Sequence, residues 1–262
     1  MTDYPVLNAK VLFFKEISMA TFILIHGAWH GGWCWERIVP LLEHQGHHVL
    51  APDLPGMGSD RRPLSSITLD YWAQFVADLA RQQKETVILV GHSRGGIVIS
   101  QAAEYARQYT RALIYLSAFL IPNGGTLRET VRQHPQSVDP QNKYVLSADK
   151  TISTVIPAAV ADIFYNTTSE SWIKHAASLL CPEPMMVSST PLSLTPENFG
   201  SLPRFYIECL QDKAVPITLQ RSMVTTLPCQ KVLALDTDHS PFYSEPELLV
   251  AQLLDLEEFC PR

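Results

Sequence analysis

The chain has no surplus of positive charge, no membrane-length apolar run and no cysteine pattern. Its 20 Lys and Arg against 26 Asp and Glu give a net charge of −6. No basic cluster breaks that balance, which argues against nucleic acid as a partner. The most apolar early stretch, VLFFKEISMATFILI, is interrupted by Lys15 and Glu16. No membrane span is therefore expected, since one needs roughly 20 apolar residues. The start also lacks the pattern of a secretory signal. Five cysteines (Cys34, Cys181, Cys209, Cys229, Cys260) are odd in number and never spaced C-x-x-C. That points to reduced thiols in a cytoplasmic protein, not to a disulfide framework or a metal site. Internal repeats and low-complexity tracts are missing too.

What is there reads as globular: 262 residues, 46% hydrophobic and 18% charged. Short apolar runs recur at 21–27, 47–53, 86–92, 111–119, 204–210 and 230–236, and their near-continuous apolarity suits parallel strands covered on both faces. Between them, 69–83, 97–109, 217–227 and 246–259 have helical spacing. The alternation predicts a doubly wound, mostly parallel α/β sheet with chemistry at the carboxyl ends of its strands. From Pro122 to about Pro203 the rhythm stops and proline becomes frequent. Helical pieces are expected at 157–165 and 170–180. The expected organisation is a core of 19–121 and 204–262 with a partly helical lid over 122–203. Residues 1–18 form an extension of unassigned role, and Met19 is an alternative start.

The segment Val90-Gly91-His92-Ser93-Arg94-Gly95-Gly96 lies where a strand should turn into a helix. It fits the nucleophile elbow G-x-S-x-G, which lifts a serine hydroxyl toward a carbonyl carbon. By itself the pattern is weak, arising by chance in roughly one chain of this length in ten. A serine nucleophile needs a base and an orienting acid, in the chain order Ser, Asp, His. Among nine histidines, His239 lies just beyond the last expected strand, and Asp212 lies just after the one before it. Asp236 and Asp238 are rivals for the acid, but their closeness in sequence to His239 makes its far ring nitrogen awkward to reach. The catalytic candidates are Ser93, Asp212 and His239. The expected oxyanion donors are the backbone N–H groups of Arg94 and, in the HGAWHGG segment, Ala28. His26 and His30 are read as bracing the loop, because intervening glycines spoil a metal-ligating helix. Candidate pocket walls are Trp29, Phe119, Leu120, Phe164 and Trp172.

With these pieces placed, the chain resembles the α/β-hydrolase superfamily, and most of all its branch of plant methylesterases, hydroxynitrile lyases and related bacterial esterases. FILIHGAWHGGWCW (22–35), APDLPGMGSD (51–60), VGHSRGG (90–96), YIECLQDKAVP (206–216) and DHSPFYSEP (238–246) carry the resemblance. It implies a Ser-His-Asp catalyst without cofactor, under a small lid, acting on a small-molecule ester. Dimerisation stays open. The lyases most similar to this chain carry a hydroxyl-bearing residue and a lysine where this chain has Gly27 and Ser240. A departing cyanide needs such a cation and an ester does not, so hydrolysis is favoured over carbon–carbon lysis. A ligand receptor on a hydrolase scaffold is a third reading. Arg94 replaces an apolar residue of many relatives. Its side chain is expected to point away into a surface ion pair, with lid acids or a substrate carboxylate as alternative partners.

Overall fold

The computed structural model describes residues 19–134 and 143–261. The extension expected at 1–18 lies outside them. Six parallel strands form the central sheet: β1 (Thr21–Ile25), β2 (His48–Leu50), β3 (Val87–His92), β4 (Thr110–Leu116), β8 (Arg204–Cys209) and β9 (Lys231–Leu235). Their spatial order is β2-β1-β3-β4-β8-β9. Successive side chains on a strand point to opposite faces. Ile23, Ile25, Leu89, Leu113 and Tyr115 accordingly enter one apolar core, and Phe22, Leu24, Ile88, Val90 and Ile114 enter the other. This two-sided burial is why the strands read as unbroken apolar runs.

Helices α2 (Leu69–Arg81), α3 (Gly95–Tyr105) and α8 (Ile217–Thr226) supply residues to the first core. Helices α1 (Ile38–His44) and α10 (Pro246–Glu257) supply the second. The Thr68 hydroxyl accepts the Tyr71 N–H and starts α2, which buries Leu69, Trp72, Ala73, Val76, Ala77 and Ala80 along one face. Helix α1 escaped the sequence reading because Pro40 interrupts its short run. Proline is tolerated there because it lies in the first turn, where N–H groups have no helical acceptor. A four-residue helix α9 (Pro241–Ser244) follows β9.

The segment between β4 and β8 holds α4 (Leu127–Gln133), β5 (Tyr144–Leu146), β6 (Ile152–Val155), α5 (Val160–Phe164), α6 (Glu170–Leu179), β7 (Glu183–Pro184) and α7 (Met185–Ser189). The helical pieces near 157–165 and 170–180 are present. The antiparallel sheet β5-β6-β7 is an addition to the sequence reading. Strands of two to four residues are too short to show a period.

The turn from β3 into α3 has room only for backbone. A Cβ on Gly95 would lie 2.7 Å from the Ile25 carbonyl oxygen and 3.0 Å from that of His26. Gly95→Ala is therefore expected to destabilise the fold by about 1–3 kcal/mol, the usual cost of overpacking against atoms that cannot move. A lowered urea midpoint at unchanged slope would register it, and a wild-type midpoint would contradict the close approach.

Candidate active site

Five strand ends converge at the carboxyl edge of the sheet. They deliver His26 after β1, Ser93 after β3, Ser117 after β4, Asp212 after β8 and His239 after β9. Ser93 has φ +53, the left-handed conformation that non-glycine residues rarely adopt. Its N–H donates to the Leu116 carbonyl at 3.3 Å, and its own carbonyl accepts the Phe119 and Gly96 N–H groups at 3.0 and 3.1 Å. Neighbouring backbone thus holds the sharp turn in place.

His239 Nδ1–H donates to Asp212 Oδ2 at 2.6 Å, and both side chains are almost wholly buried. Asp212 Oδ1 accepts the Ala214 and Val215 N–H groups at 2.7 and 2.8 Å, while Oδ2 also accepts the Ser117 hydroxyl. The rivals are occupied elsewhere. Asp238 accepts from Thr167 N–H, the Thr168 hydroxyl and Ser240 N–H, and Asp236 accepts from Gln211. His92 joins the serine turn to the histidine: its Nε2–H donates to the His239 carbonyl at 2.8 Å, and the two rings lie 4.4 Å apart. Among the described residues, neither the Ser93 hydroxyl nor His239 Nε2 has a hydrogen-bond partner.

The loop after β1 is fastened peptide by peptide. Gly27 O accepts from His26 Nδ1–H at 2.9 Å and from Arg94 Nη2 at 2.8 Å. Ala28 O accepts His30 Nδ1–H at 2.7 Å, and His30 Nε2 accepts the Tyr165 hydroxyl at 2.7 Å. Trp29, at φ +60, donates its N–H to Glu183 Oε2 at 3.2 Å, and its carbonyl accepts the Cys181 N–H at 2.9 Å. His26 and His30 brace the loop as the sequence suggested. The N–H groups of Ala28 and Arg94 donate to no acceptor among the described residues.

The Arg94 side chain does not form a surface ion pair. It is 2% exposed and lies 2.8 Å from Glu183, itself 7% exposed. Its guanidinium carbon sits 4.2 Å from the centre of the Trp72 ring. The partner is an acid of the segment between β4 and β8, one of the alternatives. Burying a charge in the core is tolerable only beside a counter-charge and hydrogen-bond acceptors, and Glu183 with the Gly27 carbonyl provides both.

The pocket candidates divide. Phe164 lies 5.8 Å from the His239 ring and 5.9 Å from that of Trp29, so both aromatic rings stand at the cluster. Phe119 is buried and joined to Ser93 through its backbone, whereas Leu120 is wholly buried in the first core. Trp172 stacks on Tyr243 at 5.0 Å, with the Arg37 guanidinium over its ring. A surface cleft of about 470 Å³ adjoins Trp33, Asp53, Arg61 and Cys181, and none of Ser93, Asp212 and His239 lines it. Ser117, Tyr165 and Glu183 escaped sequence reasoning, since no motif marks them.

A model of the Alpha/beta hydrolase family matches residues 22–252. The chain belongs to that family. Putative methylesterase 11, chloroplastic, of Arabidopsis thaliana is 31% identical over 94% of this chain, which spans 66% of that relative's length. Methylesterase 7 of the same plant is 32% identical over 90% of this chain and 96% of its own. Among solved structures, a pyrethroid hydrolase from Sphingobium faniae JZ-2 superposes with a TM-score of 0.82 at 29% identity, covering 92% of this chain and 98% of that one.

Burial makes three imidazoles of this family member hard to charge. It lowers His26 and His30 to about 3, with the Arg94 cation adding to the effect, and it lowers His92 well below the ordinary 6.5. In the unfolded chain each titrates near its ordinary value. Unfolding therefore takes up protons below about pH 6.5, so stability present above that pH is lost as the pH falls toward 3. The urea midpoint should drop between pH 7 and 4.5, reflecting a loss in unfolding free energy of at most ~1.4 kcal/mol per pH unit for each histidine. His30→Gln should flatten that slope, and a midpoint constant across the range would contradict the neutral buried state.

Proposed function

We propose that this chain is a serine carboxylesterase that cleaves a small or medium apolar carboxylic ester through an acyl-enzyme. The observation that carries the reading is the buried Asp212–His239 pair, joined through His92 to a left-handed Ser93. In this reading Ser93 attacks the ester carbonyl while His239 Nε2 takes its proton. Asp212 holds Nδ1 protonated and so selects the tautomer in which Nε2 is the base. Ser117 and the two N–H groups that Asp212 accepts keep the carboxylate aimed at the ring. The tetrahedral oxyanion receives the free Ala28 and Arg94 N–H groups, which need no reorganisation when charge develops there. His239 then protonates the leaving alcohol, and a water activated by the same imidazole releases the acid.

The residues that perform these steps need no cofactor. Relatives named as methylesterases and as a pyrethroid hydrolase support ester chemistry, and Trp29 with Phe164 favours an apolar group beside the histidine. We read residues 122–203 as the lid, and the five free thiols support assignment to the cytoplasm. No helix among the described residues is long and apolar enough to cross a membrane. Lysis of cyanohydrins is disfavoured at position 27. Any side chain there would put its Cβ 2.8 Å from Ser93 Cβ and 3.0 Å from His92 Nδ1.

Ser93→Ala should remove at least about 10³-fold of the activity on a nitrophenyl acetate, as loss of a triad member does. Asp212→Asn should lower kcat by about 10⁴ while leaving the fold intact. A loss below tenfold for Ser93→Ala, or rapid cyanide release from mandelonitrile by the unaltered protein, would contradict the proposal.

A further inference from the structure

One proposed oxyanion donor belongs to a peptide tied to a buried ion pair, and the other is the backbone N–H of the arginine in that pair. A peptide is planar and trans, so fixing its carbonyl fixes the direction of its N–H. The Gly27 carbonyl shares a plane with the Ala28 N–H, and that carbonyl accepts Arg94 Nη2 at 2.8 Å and His26 Nδ1–H at 2.9 Å. The other donor is the N–H of Arg94 itself. The guanidinium is held by Glu183, with Nε 2.8 Å from Oε1 and Nη2 3.3 Å from Oε2, and it lies over Trp72. Glu183 Oε2 also accepts the Trp29 N–H, whose peptide carries the Ala28 carbonyl. The next peptide is held at its carbonyl by Cys181 N–H. Consecutive peptides of this loop are thus oriented by a cation from the serine turn and by groups of the segment between β4 and β8.

We propose that Arg94 and Glu183 are positioning residues for the oxyanion hole: Glu183 holds the Arg94 guanidinium against the Gly27 carbonyl, and this orients and polarises the Ala28 N–H. A cationic donor on the carbonyl end of a peptide strengthens donation from its N–H end, because hydrogen bonds in series polarise one another. The effect belongs to the transition state, where negative charge reaches the oxyanion, and not to substrate binding. Burial favours the uncharged acid at Glu183 and the Arg94 charge opposes this, so the two side chains depend on each other. The inference rests on the serine-esterase reading and adds to it a role for a lid acid.

Glu183→Gln tests it, because the amide keeps an acceptor for Trp29 and loses the charge that holds Arg94. With nitrophenyl acetate, kcat should fall roughly 10–100-fold, less than the 10²–10³ that follows outright removal of a donor. KM should stay within about threefold. A short alkyl trifluoromethyl ketone, whose adduct with Ser93 carries the oxyanion, should bind more weakly by the same factor as kcat. Breaking a buried pair can unfold a protein, whereas replacing both partners by apolar groups often does not. The double variant Arg94→Met, Glu183→Met therefore accompanies the first and should show the same split between kcat and KM. Arg94→Lys, which keeps a charge beside Glu183, should recover part of kcat.

Wild-type kcat in either folded variant, or a loss confined to KM, would overturn the inference. So would failure of both variants to fold, since the pair would then be an element of stability alone. Ser93→Ala keeps the two failures apart. Inactivity there with unimpaired pair variants defeats only the positioning role, and full activity defeats the esterase reading itself.

Discussion

The close approach of β3, α3 and the loop ends around Ser93 is the constraint on which the site depends. Strand and helix meet with glycine at 91, 95 and 96. A Cβ at each would lie 2.7 Å from Gly95 O, 2.7 Å from Ile25 O and 2.5 Å from Phe119 O, respectively. Because no side chain intervenes, Ser93 is forced into the left-handed region, which costs a non-glycine residue about 1–3 kcal/mol. Hydrogen bonds from Ser93 to Leu116 and from Phe119 and Gly96 to Ser93 help offset that strain. The serine is presented at one height above the sheet and cannot relax back into it.

The parallel sheet then decides what can stand beside that serine. Adjacent strands β1, β3, β4, β8 and β9 end on the same edge, so residues far apart in the chain arrive within one row. Packing them there excludes water, and the consequence for the histidines is opposite to that for a surface cluster. His26, His30 and His92 stay neutral and serve as directional donors and acceptors between backbone groups. His239 alone among these four has a carboxylate against its ring nitrogen. Chemically identical side chains thus differ in what they can do because their partners differ.

The legible parts of the sequence are those set by local physics. Strands covered on both faces become continuous apolar runs, and the glycine spacing of VGHSRGG records the backbone contact directly. Asp212 and His239 were singled out because the topology says where a strand end must be, and their side chains meet at 2.6 Å. Helix α1 and the sheet β5-β6-β7 were hidden by a proline in the first turn and by very short strands. Arg94 shows the deeper limit. A charge among glycines at a helix start reads as solvent-facing, and its burial depends on Glu183, 89 residues away. No period or motif encodes such a pairing. Ser117 and Tyr165 were unreadable for the same reason.

The buried guanidinium also bears on how hydrolases of this architecture can be recombined. A chimera whose residues 122–203 placed no acid at position 183 would bring no anion to meet Arg94. The stranded cation would weaken the hybrid by about 3–5 kcal/mol, a large share of the stability of an ordinary domain. Exchange of this segment therefore keeps the buried charge balanced only when an acid at 183 accompanies the arginine at 94.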